Sequence, residues 1–397
     1  VYLDFFQHPE YKSVFDGGLD IDLLCMTLST LIPDANFVSG KTCIIFDEIQ
    51  ECPRARTALK FFKTDGRYDV IGTGSLLGVS GYHTNASSEA PIPVGYETII
   101  DMYPMDFEEW LWANGIKKMT IDYLHRCLEE KTPVQEAIHE RMRQLLLQYC
   151  IVGGMPRAVS VFMETHNMQN VLRMQQAIIE EYKVDMLKYA PQADKSRIRE
   201  CFESIPRQLS KENKKFAYAT VRSNGRGRDY QGSLQWIEDA GIIRRCYNLS
   251  APELPLDGNA IPDQFKVYMA DTGLFISMLE PGTAADILQG NLYGYKRAIF
   301  ENLVADIFGK MNRKLYYFRK DSGLEIDFVT RYEGKCTLVE VKASNGNIKS
   351  AKTILSNPEK YHVVQAIKLG DVNVGTVPQT LILPLYMAFL LKTDNLR

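Results

Sequence analysis

The chain has 397 residues, 45% of them apolar and 24% charged, enough to bury real cores and to divide into two or three domains. A formal net charge of -3 excludes a globally basic nucleic-acid binder and confines any such contact to a local face. No stretch approaches the roughly 20 apolar residues of a membrane span, and no charged-then-apolar leader opens the chain, so a cytoplasmic protein with no membrane partner is expected.

In chain order, residues 1–115 alternate short apolar runs (VYLDFF, CIIFDE, YDVIGTGS) with helical patterns such as RARTALKFF. That rhythm predicts a doubly wound α/β domain, a parallel sheet covered by helices. The first run already begins at Val1, so a segment ahead of it is expected. Residues 116–190 place apolar side chains at helix spacing through IHERMRQLLLQYCIV and MQNVLRMQQAIIEEYKVDMLKYA and predict a helical lid or connector. Residues 191–264 hold a helix (SRIRECFESIPRQLS), a basic turn (RSNGRGRDY), a second helix (QGSLQWIEDAG) and a strand pair beginning IIRRCYNLS, the order of a winged helix. The Pro-rich stretch 251–264 marks a boundary, and residues 265–397 form another α/β unit with strands near KLYYFRK, LEIDFVTR and TLVEVKAS.

The run Cys43, Ile44, Ile45, Phe46 is apolar on both faces, as a central parallel strand must be, and ends in Asp47 and Glu48. Ligands of open α/β sheets bind at that carboxyl edge. There Asp47 would hold the magnesium of a nucleotide while Glu48 orients or deprotonates the attacking water. The next strand ends in Thr73 and Ser75, hydroxyls placed to sense a terminal phosphate. The competing reading is a pair of acids that ends a buried strand and caps the next helix. Ser39, Gly40, Lys41 and Thr42 imitate the end of a phosphate loop, but the leading glycine of GxxxxGK[ST] falls at Ala35 and the segment runs into a strand, not a helix. A genuine phosphate loop is expected ahead of the first strand.

In combination, IIFDEIQECPRA, the TGS strand end, VGYETIIDMYPMDFEEWL, GGMPRAV, EEYKVDMLKYA, KVYMADTGL and the late EIDF and EVKAS strands resemble bacterial and archaeal AAA-superfamily ATPases with an AAA-14 type core and a C-terminal DUF4143 region. The resemblance spans almost the whole chain. It implies a P-loop NTPase-like sheet, truncated at its N-terminus, then a helical lid, a winged helix and a restriction-endonuclease-like α/β domain. ATP and magnesium are the implied cofactors, with Asp47 on magnesium, Glu48 in hydrolysis and Ser75 near a sensor position. Arg54, Arg56 and Arg157 would touch phosphate or a second copy of the chain, unless salt bridges occupy them.

LEIDFVTRYEGKCTLVEVKAS reads as a hairpin in which Glu325 and Asp327 share one strand face, and Glu340 and Lys342 share one face of the next. A two-residue turn at Glu333 and Gly334 sets Asp327 opposite Glu340 and Glu325 opposite Lys342. Carboxylates about 5 Å apart repel unless a cation lies between them. The arrangement resembles the PD-(D/E)xK nuclease core, in which Asp327 and Glu340 would hold magnesium, Lys342 would serve the attacking water and Glu301 would be the upstream acid. The plain alternative is a solvated charged face, and a third keeps the nuclease-like fold without cutting.

Lys211, Lys214, Lys215, Arg222, Arg226 and Arg228, with Phe216 and Tyr218 among them, form the most basic window. With the helix carrying Gln231, Gln235 and Trp236, it is the DNA-binding candidate, region 211–236. Trp236 is expected in the core. The eight cysteines (Cys25, Cys43, Cys52, Cys127, Cys150, Cys201, Cys246, Cys336) and six histidines are scattered. The cysteines read as reduced core residues, and the Asn-x-Ser triplets at Asn85 and Asn248 carry no glycan. The leading expectation is an ATP-hydrolysing, DNA-associated or regulatory protein. The alternatives are a magnesium-dependent nuclease regulated by its ATPase part, and a non-catalytic DNA- or protein-interaction protein.

Overall fold

A computed structural model describes residues 1–75, 95–190, 194–211, 214–289, 295–342 and 348–392. Asn85, Ala343 and Ser344 lie outside them. The chain divides into two units, Val1–Met102 with Leu187–Ala193 and Tyr103–Met186 with Asp194–Arg397.

In the first unit, β1 (Tyr2–Asp4), β2 (Cys43–Asp47) and β3 (Asp69–Gly72) pair in parallel in that order. Helix α1 (Ile21–Leu31) starts where the Asp20 carboxylate accepts the Leu23 amide. Helix α2 (Pro53–Asp65) has proline in its first turn and ends on Gly66 at φ 73°. One sheet face, Leu3, Ile44 and Phe46, joins Leu24 and Leu28 of α1 and Ala55, Ala58 and Phe62 of α2 in a single core. Phe15 stacks edge-on to Phe46 at 5.5 Å, and Phe46 to Phe62 at 5.9 Å. The opposite face carries Tyr2, Ile45 and Ile71 in register, with Tyr2 and Ile71 exposed. The expectation of a strand buried on both faces is therefore corrected: among the described residues both helices pack on one side, Ile45 is half-buried and Cys43 is exposed. The other seven cysteines are free and buried.

The second unit opens with helices α3 (Phe107–Ala113), α4 (Lys118–Glu130), α5 (Glu136–Val152), α6 (Pro156–Thr165) and α7 (Met168–Tyr189), of which the part to Met186 belongs to this unit, as the 3.6-residue spacing predicts. Then come α8 (Lys195–Leu209), α9 (Tyr218–Val221), α10 (Gly227–Asp239), β4 (Ile243–Leu249) and β5 (Ala260–Met269). The segment read from sequence as a winged helix, two helices and a strand pair, is three helices followed by an antiparallel strand pair. Its strands are not separate, however. After α11 (Thr272–Ser277), α12 (Thr283–Leu288) and α13 (Lys296–Lys310) come β6 (Leu315–Arg319), β7 (Glu325–Tyr332), β8 (Lys335–Lys342), α14 (Lys349–Leu355), α15 (Pro358–Tyr361), β9 (Gln365–Gly370), β10 (Gly375–Val377) and β11 (Thr380–Pro384). The described strands form one mixed sheet in the order β10-β11-β9-β8-β7-β6-β4-β5. The Pro-rich stretch 251–264 thus joins two paired strands of one sheet, and β5 begins inside it. Proline and glycine there serve a long hairpin connection, a role that composition alone does not separate from a linker.

The β7–β8 turn has the predicted form. Glu333 and Gly334 lie at φ 49° and 74°, the double left-handed conformation of a two-residue hairpin turn, and Tyr332 pairs with Lys335. Helix α13 buries its own apolar residues Ile299, Leu303, Val304 and Ile307, yet it also carries the buried acids Glu301 and Asp306. A second joint explains two glycine-bearing motifs. The Asp271 carboxylate accepts the Gly154 amide at 2.7 Å and the Leu274 amide at 2.9 Å. A Cβ on Gly154 would stand 2.0 Å from the Met105 carbonyl, and one on Gly153 2.2 Å from Asp271. GGMPRAV and MADTGL therefore meet backbone to side chain, with no space for a methyl group.

Candidate functional site

Strand β2 delivers Asp47 to the carboxyl edge of the three-stranded sheet. Its Oδ1 accepts the Thr73 hydroxyl from the end of β3 and the Glu48 amide at 3.1 Å, and its Oδ2 accepts the Tyr2 hydroxyl from β1. Three adjacent strands thus converge on one carboxylate. The hydroxyls of Thr73 and then Tyr2 hold Asp47 below the usual aspartate range, because a hydrogen bond to the ionised form favours it. The same bond pushes the Tyr2 phenol up to about 12. All three donors are neutral, so the negative charge stays available to a cation.

Glu48 follows in the left-handed region at φ 53° and ψ 47°, where a residue with a Cβ sits at a cost. The bend turns the chain from the strand into the short turn Ile49–Glu51, and the Gln50 amide donates to the Glu48 carboxylate. Thr73 returns the brace, its amide donating to the Phe46 carbonyl at 2.9 Å while its carbonyl accepts from Ile49 at 2.9 Å. Ser75 is exposed two residues farther on. The Gly40, Lys41, Thr42 segment is a turn: the Lys41 and Thr42 amides both donate to the Val38 carbonyl at 3.0 Å, and β2 follows directly. The arginines are engaged locally. Arg54 donates to the Gly17 carbonyl at 2.8 Å, Arg56 pairs with Glu97 at 2.7 Å, and Arg157 with Glu181 at 3.2 Å.

The C-terminal acids come together as the hairpin register requires, and so do cations that sequence reasoning missed. Glu301 Oε1 lies 2.7 Å from both Lys214 Nζ and Arg297 Nε, while its Oε2 accepts the Tyr268 hydroxyl at 3.1 Å and lies 3.9 Å from Lys266 Nζ. Asp327 accepts Arg297 Nη2 at 2.9 Å and the Val341 amide at 2.8 Å. Glu325 pairs with Lys266 at 2.8 Å and Arg319 at 3.6 Å. Glu340 takes Lys342 Nζ at 2.6 Å and the Ala351 amide at 3.3 Å. Burial alone would raise Glu301, but Lys266, Lys214 and Arg297 pull it well below the usual glutamate range. Burial, then Glu301, raises Asp327; burial, then Asp327, raises Glu340. Lys342 thus meets Glu340 on its own strand.

Lys214 is the correction to the basic window: it is buried against Glu301 instead of facing solvent. Burial lowers its pKa against the opposing pull of Glu301. Arg222, Arg226, Arg228 and Gln231 remain exposed, Arg222 3.9 Å from Glu200 and Arg228 3.8 Å from Asp229. Gln235 is taken up by Arg245 and Asp239, and Trp236 is buried in the core as expected. Two signals for the missed cations were present. A lone lysine in the apolar strand FKVYM demands a buried partner, and Arg297 precedes Glu301 by one helical turn. The role of Tyr2 needed the β1–β2 register, which sets Tyr2 against Ile45 and sends its ring along the face that carries Asp47.

Residues 6–111 match the model of an AAA domain. Residues 143–284 match a domain of unknown function, DUF8612, and residues 296–386 match another, DUF4143. No curated protein and no solved structure matches the chain. The chain is thus an AAA-domain protein, consistent with nucleotide binding and an ATPase, followed by two domains without assigned function. Among the described residues no helix is long and apolar enough to cross a membrane.

Proposed function

We propose that the N-terminal unit supplies the acidic half of a magnesium–ATP site in an ATP-hydrolysing protein, with Asp47 as the magnesium-side carboxylate and Glu48 acting on the attacking water. One observation carries the reading: a carboxylate at the end of a parallel strand is kept ionised by hydroxyls from both neighbouring strands. Asp47 fits a nucleotide-bound magnesium because, among the described residues, no lysine or arginine is one of its hydrogen-bond partners. Asp47 would hold the magnesium, which when bound would supply positive charge against the charge that develops on phosphoryl transfer. Thr73 holds the Asp47 oxygen in place, and Glu48 stands one residue beyond at the same edge. Ser75 is the candidate for phosphate sensing.

The exposed Arg222, Arg226 and Arg228 beside α10 support DNA association as the companion activity, with phosphate contacts supplying affinity. The ATPase reading is tested by equilibrium binding of a fluorescent ATP analogue to the natural full-length protein with and without magnesium. Asp47→Asn is expected to remove the magnesium-dependent part of the affinity. Equal magnesium dependence in wild type and variant would overturn the assignment of Asp47.

A further inference from the structure

The C-terminal acids differ from Asp47, whose two oxygens also face donors, but neutral ones. Each of the eight carboxylate oxygens of Glu301, Glu325, Asp327 and Glu340 faces a donor from the protein. Four negative charges meet five positive ones, from Lys214, Lys266, Arg297, Arg319 and Lys342. Among the described residues no group of three or more His, Cys, Asp or Glu is placed to hold a metal ion. Magnesium demands carboxylate oxygens at about 2.0–2.1 Å in near-octahedral order, and here an ammonium or guanidinium already stands against at least one oxygen of each of the four acids. As arranged, the residues do not fit a resident divalent ion, so no hydrolytic step is derived for this cluster.

The cations also come from distant parts of the chain. Lys266 belongs to β5 and Arg297 to α13, whereas Lys214 lies between α8 and α9, ahead of the exposed basic turn in the chain. Its ammonium enters a place closed to solvent, 2.7 Å from Glu301. We propose that Lys214 at Glu301 and Arg297 between Glu301 and Asp327 are built-in cations occupying the place a divalent metal would take beside those two acids, so that the native site is closed to metal and opens only when both are removed. On this reading the nuclease-like fold is a neutralised charge cluster that fixes the α8–α9 segment to the sheet, and Lys214 is a positioning residue.

The test is a manganese titration followed by electron paramagnetic resonance, without nucleotide, on wild type, Lys214→Met with Arg297→Met, Lys214→Arg, and the triple variant that adds Glu301→Gln to the first pair. Lys214→Met with Arg297→Met is expected to bind one additional manganese ion at least tenfold more tightly than wild type. Lys214→Arg should behave as wild type, and the triple variant should lose the gain. An unchanged manganese isotherm in Lys214→Met with Arg297→Met overturns the proposal, as does a wild-type protein that already binds as tightly as that variant. Should the paired variant fail to fold, the wild type decides alone. Its tryptophan-monitored melting curves in EDTA and in excess magnesium are expected to superimpose, and a magnesium-dependent upward shift overturns the proposal.

Discussion

Removing the Glu301 carboxylate while keeping its shape, by Glu301→Gln, leaves the buried ammonium of Lys214 without its anion, while Arg297 and Lys266 keep only Asp327 and Glu325. At 2.7 Å the gross Coulomb attraction between Lys214 and Glu301 is about 6 kcal/mol at an effective dielectric constant near 20. Most of it is offset by desolvation, and the lowered pKa of Lys214 shows that burial outweighs the attraction for that ammonium. Breaking one side of a buried pair costs about 3–5 kcal/mol, whereas replacing both sides by apolar groups is often nearly neutral. Glu301→Gln alone is therefore expected to cost about 3–5 kcal/mol, and to cost about 1–3 kcal/mol less when Lys214→Met is already present. Urea denaturation followed by tryptophan fluorescence measures the cycle cleanly, because Trp110, Trp112 and Trp236 all lie in the second unit. Additivity of the two substitutions within about 0.5 kcal/mol would refute the coupling.

The Gly154 joint predicts that Gly154→Ala, whose methyl would stand 2.0 Å from the Met105 carbonyl, costs about 2–4 kcal/mol in the same denaturation; a loss under about 0.5 kcal/mol would contradict the packing described. Asp306 is fully buried, and burial pushes its pKa up to about 6 despite Lys310 at 3.0 Å. Its folded pKa lies above the unfolded value of 3.8, so the fold holds this proton more tightly. The contribution is fully present only below pH 3.8, is still largely present at pH 4, and is lost as pH rises through 6. The stability difference between wild type and Asp306→Asn should shift against the wild type by about 1–3 kcal/mol between pH 4 and pH 7, and a difference constant with pH would contradict this. Finally, replacing Arg222, Arg226 and Arg228 together by alanine should weaken duplex DNA binding and flatten its salt dependence by about two to three units of slope. An unchanged slope would remove that face from the DNA reading.

Local signals carried the helices and the turn chemistry. The amphipathic period of α5 and α7, the two-residue turn at Glu333 and Gly334 and the carboxyl-edge position of Asp47 all follow from spacing within a few residues. What spacing could not supply was pairing across distance. The burial of β2 on one face depends on α1 and α2 both packing on the same side. The continuity of β4 and β5 with the larger sheet depends on β4 pairing with β6, across more than 60 residues of chain. The acids Glu301, Asp327 and Glu340 were legible as a constellation because a hairpin register is local. Their neutralisation was not, since Lys214 and Lys266 approach from other elements and a lysine in a basic window looks solvent-facing until its partner is placed. Tyr2 was missed for the same reason: its role exists only through the parallel register that sets β1 against β2.

The central claim concerns the edge where β2 ends, and steady-state ATP turnover by the natural full-length protein tests it most directly. With magnesium present, Glu48→Gln is expected to lower turnover at least ~100-fold, the scale of a lost general base, while the affinity for the nucleotide changes little. A Glu48→Gln protein that hydrolyses ATP at the wild-type rate would contradict the account.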